Sequence, residues 1–130
     1  KGNIRDSGLT NYIQGITHRD QLLNYPNVGA AFEAYISEEI IKGIQATETV
    51  NWNYYYFRTR NGAEIDLILE GPFGTLPIEI KLGSAVKRRQ IQTLKNFVYN
   101  NNLPLGIVIN NSDDAQLIAD RIVQLPATFI

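Results

Sequence analysis

Four residues stand out by type and position: Glu33, Asp66, Glu79 and Lys81. Asp66 interrupts the stretch 64–69, where Ile65, Leu67 and Leu69 alternate with Glu64, Asp66 and Ile68. Glu79 and Lys81 interrupt 76–82, alternating with Ile78, Ile80 and Leu82. Side chains two apart on a strand share a face, so Glu79 and Lys81 project together and Asp66 can join them from a neighbouring strand. Glu33 shares a helical row with Ile36, Ile40 and Ile44 and so borders an apolar stripe. Three carboxylates brought together repel, and a divalent cation removes that cost. Such an ion polarises a phosphoryl oxygen and acidifies water. A lysine beside it orients that water and stabilises the charge that develops. The set suits phosphodiester hydrolysis. Cysteine is absent and His18 is the one histidine. Serine or cysteine acyl transfer therefore lacks its partners, and thiolate or multi-histidine zinc sites are excluded. Any metal here is held by oxygen: magnesium, manganese or calcium.

The elements that must position these residues are legible from periodicity. The segment 28–44 is the strongest helix: Val28, Ala31, Phe32, Tyr35, Ile36, Ile40 and Ile44 recur at helical spacing, with Asn27 as a cap. Residues 51–60 carry Trp52, three consecutive tyrosines and Phe57, a strand composition. Asn61-Gly62 is a hairpin signal and 71–74 a second turn. With 64–69 and 76–82 this predicts a three-strand antiparallel meander. Ser84 is placed to cap a helix over 85–100 with Ile91, Leu94 and Val98 inward, and 105–110 reads as a buried strand. The segment 113–119 suggests a short helix and 121–125 a last strand before Pro126. Ahead of the core, 4–15 reads as irregular with a turn at Asp6-Ser7-Gly8, and Thr17 as the cap of a short helix over 18–23. The expected class is α/β: a mixed sheet with helices packed on it, in the order helix, three strands, helix, strand.

Other readings of the same residues stay open at this level. Asp66, Glu79 and Lys81 also fit an exposed strand face carrying a Glu–Lys pair. Glu39 lies nearer the centre of the apolar stripe than Glu33, and is either the helix ligand or a buried acid paired with Arg58 or Arg60. Glu64 is a spare ligand or a solvated acid at a turn. Lys87, Arg88 and Arg89 read as a solvated face or as phosphate contacts. Tyr54, Tyr55 and Tyr56 read as core, as an interface or as stacking partners for bases. His18 reads as structural, and Asn110 and Asn111 as turn residues. A carboxylate pair acting on a sugar would need aromatic residues in a groove beside the acids.

The 130 residues fit one domain, and 44% apolar content suffices for a core. The net charge is −1 and the pI about 5.8, which counts against strong autonomous nucleic-acid binding. No apolar run is long enough for a transmembrane helix, and 1–10 lacks a signal-peptide stretch, so no membrane association and a cytoplasmic location are expected. Methionine is absent and the chain begins at Lys1, which suggests a piece of a longer protein.

Asp66 followed by Glu79-Ile80-Lys81, after a helix bearing Glu33 and a hairpin, resembles the PD-(D/E)XK nuclease superfamily. One branch is more similar still. Asp6-Ser7-Gly8-Leu9, Gly29-Ala30-Ala31-Phe32-Glu33, Tyr56-Phe57-Arg58-Thr59, Gly62-Ala63-Glu64-Ile65-Asp66, Pro77-Ile78-Glu79-Ile80-Lys81 and Leu125-Pro126 resemble the C-terminal uncharacterised domain of predicted AAA-type ATPases of bacteria and archaea. That resemblance spans nearly the whole chain. It implies a restriction-endonuclease-like core at 27–130 behind a lead-in at 1–26. It implies Mg²⁺ or Mn²⁺ held by Glu33, Asp66, Glu79 and the carbonyl of Ile80, with Lys81 orienting the attacking water. It also places Lys87, Arg88, Gln90 and Gln92 near the site, as nucleic-acid contacts on the following helix. DNA and an N-terminal ATPase module of the same chain are the implied partners, with oligomerisation through that module. A silent DNA-positioning or protein-docking domain is the alternative. No Gly-rich loop ending in Lys-Ser or Lys-Thr occurs, so ATP binding is not expected of this segment.

Overall fold

A computed structural model describes residues 5–60 and 62–130. Residues 1–4, including Ile4 at the start of the segment read as irregular, and Asn61, the first residue of the hairpin pair, lie outside them. The helices are α1 (Ser7–Ile13), α2 (Arg19–Leu23), α3 (Val28–Gln45) and α4 (Gln92–Asn100). The strands are β1 (Asn53–Arg58), β2 (Glu64–Gly71), β3 (Gly74–Ile80), β4 (Gly106–Asn110), β5 (Gln116–Ala119) and β6 (Ile122–Pro126). They form one six-stranded mixed sheet in the order β1-β2-β3-β4-β6-β5. β1, β2 and β3 are the expected antiparallel meander, β4 runs parallel to both β3 and β6, and β5 pairs antiparallel with β6.

Helices cover both faces of this sheet. On one face Ile36 and Ile41 of α3 pack on Leu67, Leu69, Ile78, Ile80 and Ile109. On the other, Leu94 and Val98 of α4, with Ile91, pack on Val108 and Ile122. The apolar run of β4 follows from this, since its successive residues serve opposite cores. The stripe on α3 is turned slightly from the one read by spacing: Ile41 is buried, whereas Tyr35 is 47% exposed.

Several local expectations are corrected. The residues after Asp6 form a helix, because the Asp6 carboxylate accepts the Leu9 N–H at 2.8 Å and caps it. α2 starts one residue later than expected, with His18 rather than Thr17 at its N-cap; Gln21 Oε1 accepts the N–H groups of both. Asn27 occupies the N-cap of α3 without a side-chain bond. The helix expected from Ala85 is a 3₁₀ turn at Arg88–Ile91 followed by α4. It starts late because Gln90 Oε1 takes the Lys87 N–H, and the Ser84 carbonyl is bonded elsewhere, to Asn110 Nδ2. The segment 113–119 contains a strand instead of a helix. Leu117 and Ala119 register with Val123 and Ile122 across a tight turn in which Arg121 takes φ 55°. Pairing with β6 thus overrides local propensity.

Asn110 and Asn111 are more than turn residues. Asn110 is fully buried, and its Nδ2 donates to Ser84 O and Gln124 Oε1. Asn111 Nδ2 donates to Leu82 O at 2.7 Å. With Lys81 N–H on Ile109 O, these bonds fasten the chain leaving β3 to the end of β4.

Gly106 lies directly under α4 with no room for a side chain. A Cβ there would meet Val98 Cγ2 at 2.8 Å and Ile122 Cδ1 at 3.1 Å. Gly106→Ala is expected to destabilise the fold by about 1–3 kcal/mol in urea unfolding; an unchanged midpoint would show that this contact yields freely.

Candidate functional site

The β2–β3 ladder runs from Gly71↔Gly74 to Leu67↔Ile78 and ends there. Beyond it, the Asp66 carboxylate substitutes for a ladder partner: its Oδ2 accepts the Ile80 N–H at 2.8 Å. On the other edge of β2 the register with β1 shifts between Tyr55↔Ile68 and Phe57↔Ile65. Asp66 and Leu67 together therefore stand opposite Tyr56, a β-bulge, and bulges re-aim side chains where pairing ends. β3 then turns to pair with β4 through Ile78↔Ile107 and Ile80↔Ile109. The site lies in this fork.

Lys81 fills it. Its Nζ is 2.8 Å from Glu79 Oε1, 3.4 Å from Asp66 Oδ2 and 3.6 Å from Glu33 Oε1. All four sequence-predicted members therefore meet around one ammonium. Asp66 and Glu79 side chains are each 6% exposed and Glu33 22%, so this is a pocket edge rather than a solvated strand face. Glu79 Oε2 is buried with no hydrogen-bond partner. Among the described residues no three acidic or histidine side chains are grouped to hold an ion by themselves. The carboxylates here are gathered by the ammonium instead.

The electrostatics follow from this crowding. Burial, and next the Asp66 charge, push the Glu79 carboxyl up to about 7 against the pull of Lys81. Burial pulls the Lys81 ammonium down, but the hydrogen bond to Glu79 and the charges of Asp66, Glu79 and Glu33 outweigh it, and its pKa is raised. Lys81 is thus firmly charged, while Glu79 gains and loses its proton near neutrality.

Other candidates fall outside the cluster. Glu39 pairs with Lys42 at 3.1 Å, so Glu33 is the helix member and neither Arg58 nor Arg60 is the Glu39 partner in an ion pair. Glu64 lies 4.0 Å from Arg58 and is exposed. Lys87, Arg88, Gln90 and Gln92 are all exposed. Gln90 caps Lys87, and Gln92 Nε2 donates to Asn96 Oδ1. The Ile80 side chain is fully buried, and its N–H is the atom seen to act in the site. Three features escaped sequence reading: that N–H, the bulge opposite Tyr56 and the clamp from Asn110 and Asn111. Only the paired asparagines after an apolar strand left a sequence signal.

Residues 28–130 match the family described as a domain of unknown function, DUF4143. The chain belongs to that family. It is also 27% identical over 127 residues to an uncharacterized protein of Mycobacterium bovis and, equally, to one of Mycobacterium tuberculosis. Those alignments cover 95% of this chain but 26% of each relative, so the chain spans about a quarter of their length.

Because the folded pKa of Glu79 is raised above its ordinary 4.5, the stability it contributes is full below about pH 4.5 and is lost as pH rises to about 7. Glu79→Gln removes that dependence. Between pH 5 and 8 the parent is expected to lose about 1–3 kcal/mol relative to the variant in urea unfolding. Parallel profiles would show that Glu79 ionises normally.

Proposed function

We propose that this domain has a restriction-endonuclease-like core and a divalent-metal-dependent phosphodiesterase site acting on nucleic acid. The observation that carries the reading is the convergence of Glu33, Asp66 and Glu79 on the Lys81 ammonium, with Glu79 Oε2 buried and unpartnered. Glu79 keeps one buried oxygen without a hydrogen-bond partner, and every donor is oxygen, as Mg²⁺ or Mn²⁺ requires. The donor chemistry suits such an ion, which would have to displace the Lys81 ammonium that now gathers the carboxylates. Glu33, Asp66 and Glu79 would hold it, with the Ile80 carbonyl as a further donor. When bound, the ion supplies Lewis acidity toward a phosphoryl oxygen and toward water.

The chain's own groups do the remaining work. The Ile80 N–H fixes the Asp66 carboxylate, so one ligand is pre-organised before anything binds. Lys81 retains its proton, and its Nζ donates to the attacking water and to the charge developing on the phosphate. The clamp from Ile109, Asn110 and Asn111 limits where the backbone after Lys81 can go. The resemblance of residues 6–126 to ATPase C-terminal domains, and the fourfold greater length of the relatives, support a place beside an AAA-type ATPase module in a longer cytoplasmic protein.

One observation favours a second reading. Lys81 already acts as the cation of the cluster, so the set is self-contained as a structural ion-pair network. In that case the domain positions DNA or docks a protein partner for the ATPase, without chemistry.

Two measurements decide between them. Mn²⁺ titrated into the chain and followed by electron paramagnetic resonance is expected to bind, with binding abolished in Asp66→Ala. Nicking of plasmid or branched DNA with Mn²⁺ is expected to fall at least ~100-fold in that variant. No Mn²⁺ binding would favour the silent domain; cleavage indifferent to Asp66→Ala would belong to a contaminant.

A further inference from the structure

The acidic cluster opens into a groove of about 280 Å³ between α3 and β1. Glu33 and Asp66 line one end, and Tyr54, Tyr56 and Arg58 line the β1 side. On α3 the groove is bounded by Ala34 and Ser37, whose small side chains leave it open. Aromatic residues on strands are usually buried, yet Tyr54 is 43% and Tyr56 62% exposed. Tyr55, between them, does not line the groove. Alternation along β1 thus sorts three identical residues onto two sides.

The two groove tyrosines are presented on a supported backbone. Tyr54 leans on Trp52, with centroids 6.1 Å apart, and Trp52 packs against the α3 core. Tyr56 stands opposite the bulge that aims Asp66. Phe57, which also borders the groove, meets Phe97 of α4 edge-on at 5.4 Å and so ties β1 to α4. Arg58 is 66% exposed and its one ion pair, with Glu64 of the same groove, is long at 4.0 Å and solvated, so a phosphate would compete with Glu64 for its guanidinium. The other groove acid, Glu38, is bonded to Arg5 at 2.9 Å.

We propose that this groove binds an unpaired stretch of nucleic acid next to the bond to be cut, stacking bases on Tyr56 and Tyr54 and holding a phosphate with Arg58. The inference rests on the phosphodiesterase reading and narrows its substrate to single-stranded or flapped nucleic acid. The chemistry favours unpaired bases because a tyrosine face stacks on a base only when that base is out of the duplex, and stacking is tolerant of sequence. Flanking nucleotides bound here would also deliver binding free energy to the reacting phosphate, which a weakly acidic domain cannot obtain from bulk charge.

The test is binding without cleavage. The whole chain, in EDTA and low salt, is titrated into a 12-nucleotide single strand carrying 2-aminopurine, whose fluorescence is quenched by stacking. Quenching is expected for the single strand and not for the same sequence in duplex. Tyr56→Ala is expected to weaken binding at least 5-fold, Tyr56→Phe to restore it, and Tyr55→Ala to leave it unchanged. Equal effects of Tyr55→Ala and Tyr56→Ala, no binding, or displacement of the strand by an arginine-rich peptide at lower concentration than by competing oligonucleotide would overturn the inference. Those outcomes are separable from failure of the phosphodiesterase reading, which Mn²⁺ binding and nicking report independently.

Discussion

The arrangement depends on a single half-buried cation, the Lys81 ammonium, held among three carboxylates where β2 and β3 part. Without it, Asp66 and Glu79 would be two nearly buried acids side by side, an arrangement that folding disfavours strongly. With it, the fork between the strands closes electrostatically instead of by backbone pairing. The sheet is built to permit this. The β2–β3 ladder ends at Leu67↔Ile78, the Asp66 carboxylate takes the next free N–H, and β3 continues by pairing with β4. A parallel strand beside an antiparallel meander therefore creates the gap that the polar residues occupy.

The compensation is incomplete. The residue that bears the deficit is Glu79, with one oxygen bonded to Lys81 and the other left bare in the interior. Orphaned buried oxygens are rare because they are costly, and they concentrate where a site is meant to receive something. Burial first, and the Asp66 charge next, push the Glu79 carboxyl up to about 7, while Lys81 stays charged. A divalent ion would resolve the imbalance that the lysine leaves.

Much of this was legible in the residues. Alternation placed Glu79 and Lys81 together because strand geometry is regular, and the long α3 helix and the meander followed from strong periodicities. Glu33 over Glu39 was not decidable from angle alone: the structure separates them through Lys42, which takes Glu39 to the surface. The failures were tertiary in origin. Residues 116–119 became a strand because β6 offered a partner, and 84–87 stayed irregular because Asn110 and Asn111 bind the carbonyls of Ser84 and Leu82. For the three tyrosines on β1 composition left core, interface and stacking open, and the structure shows all three exposed. The bulge that turns Asp66 into the fork arises from a one-residue register change that no single-strand pattern reveals.

The most direct measurement is a crystal structure of the chain grown with Mn²⁺, with anomalous scattering collected at the manganese edge. A metal site predicts one strong anomalous peak within bonding distance of Asp66 and Glu79, with the Lys81 ammonium moved off Glu79 to make room. The absence of a peak there, with Lys81 still paired to all three carboxylates, would contradict it and leave the cluster as a structural network.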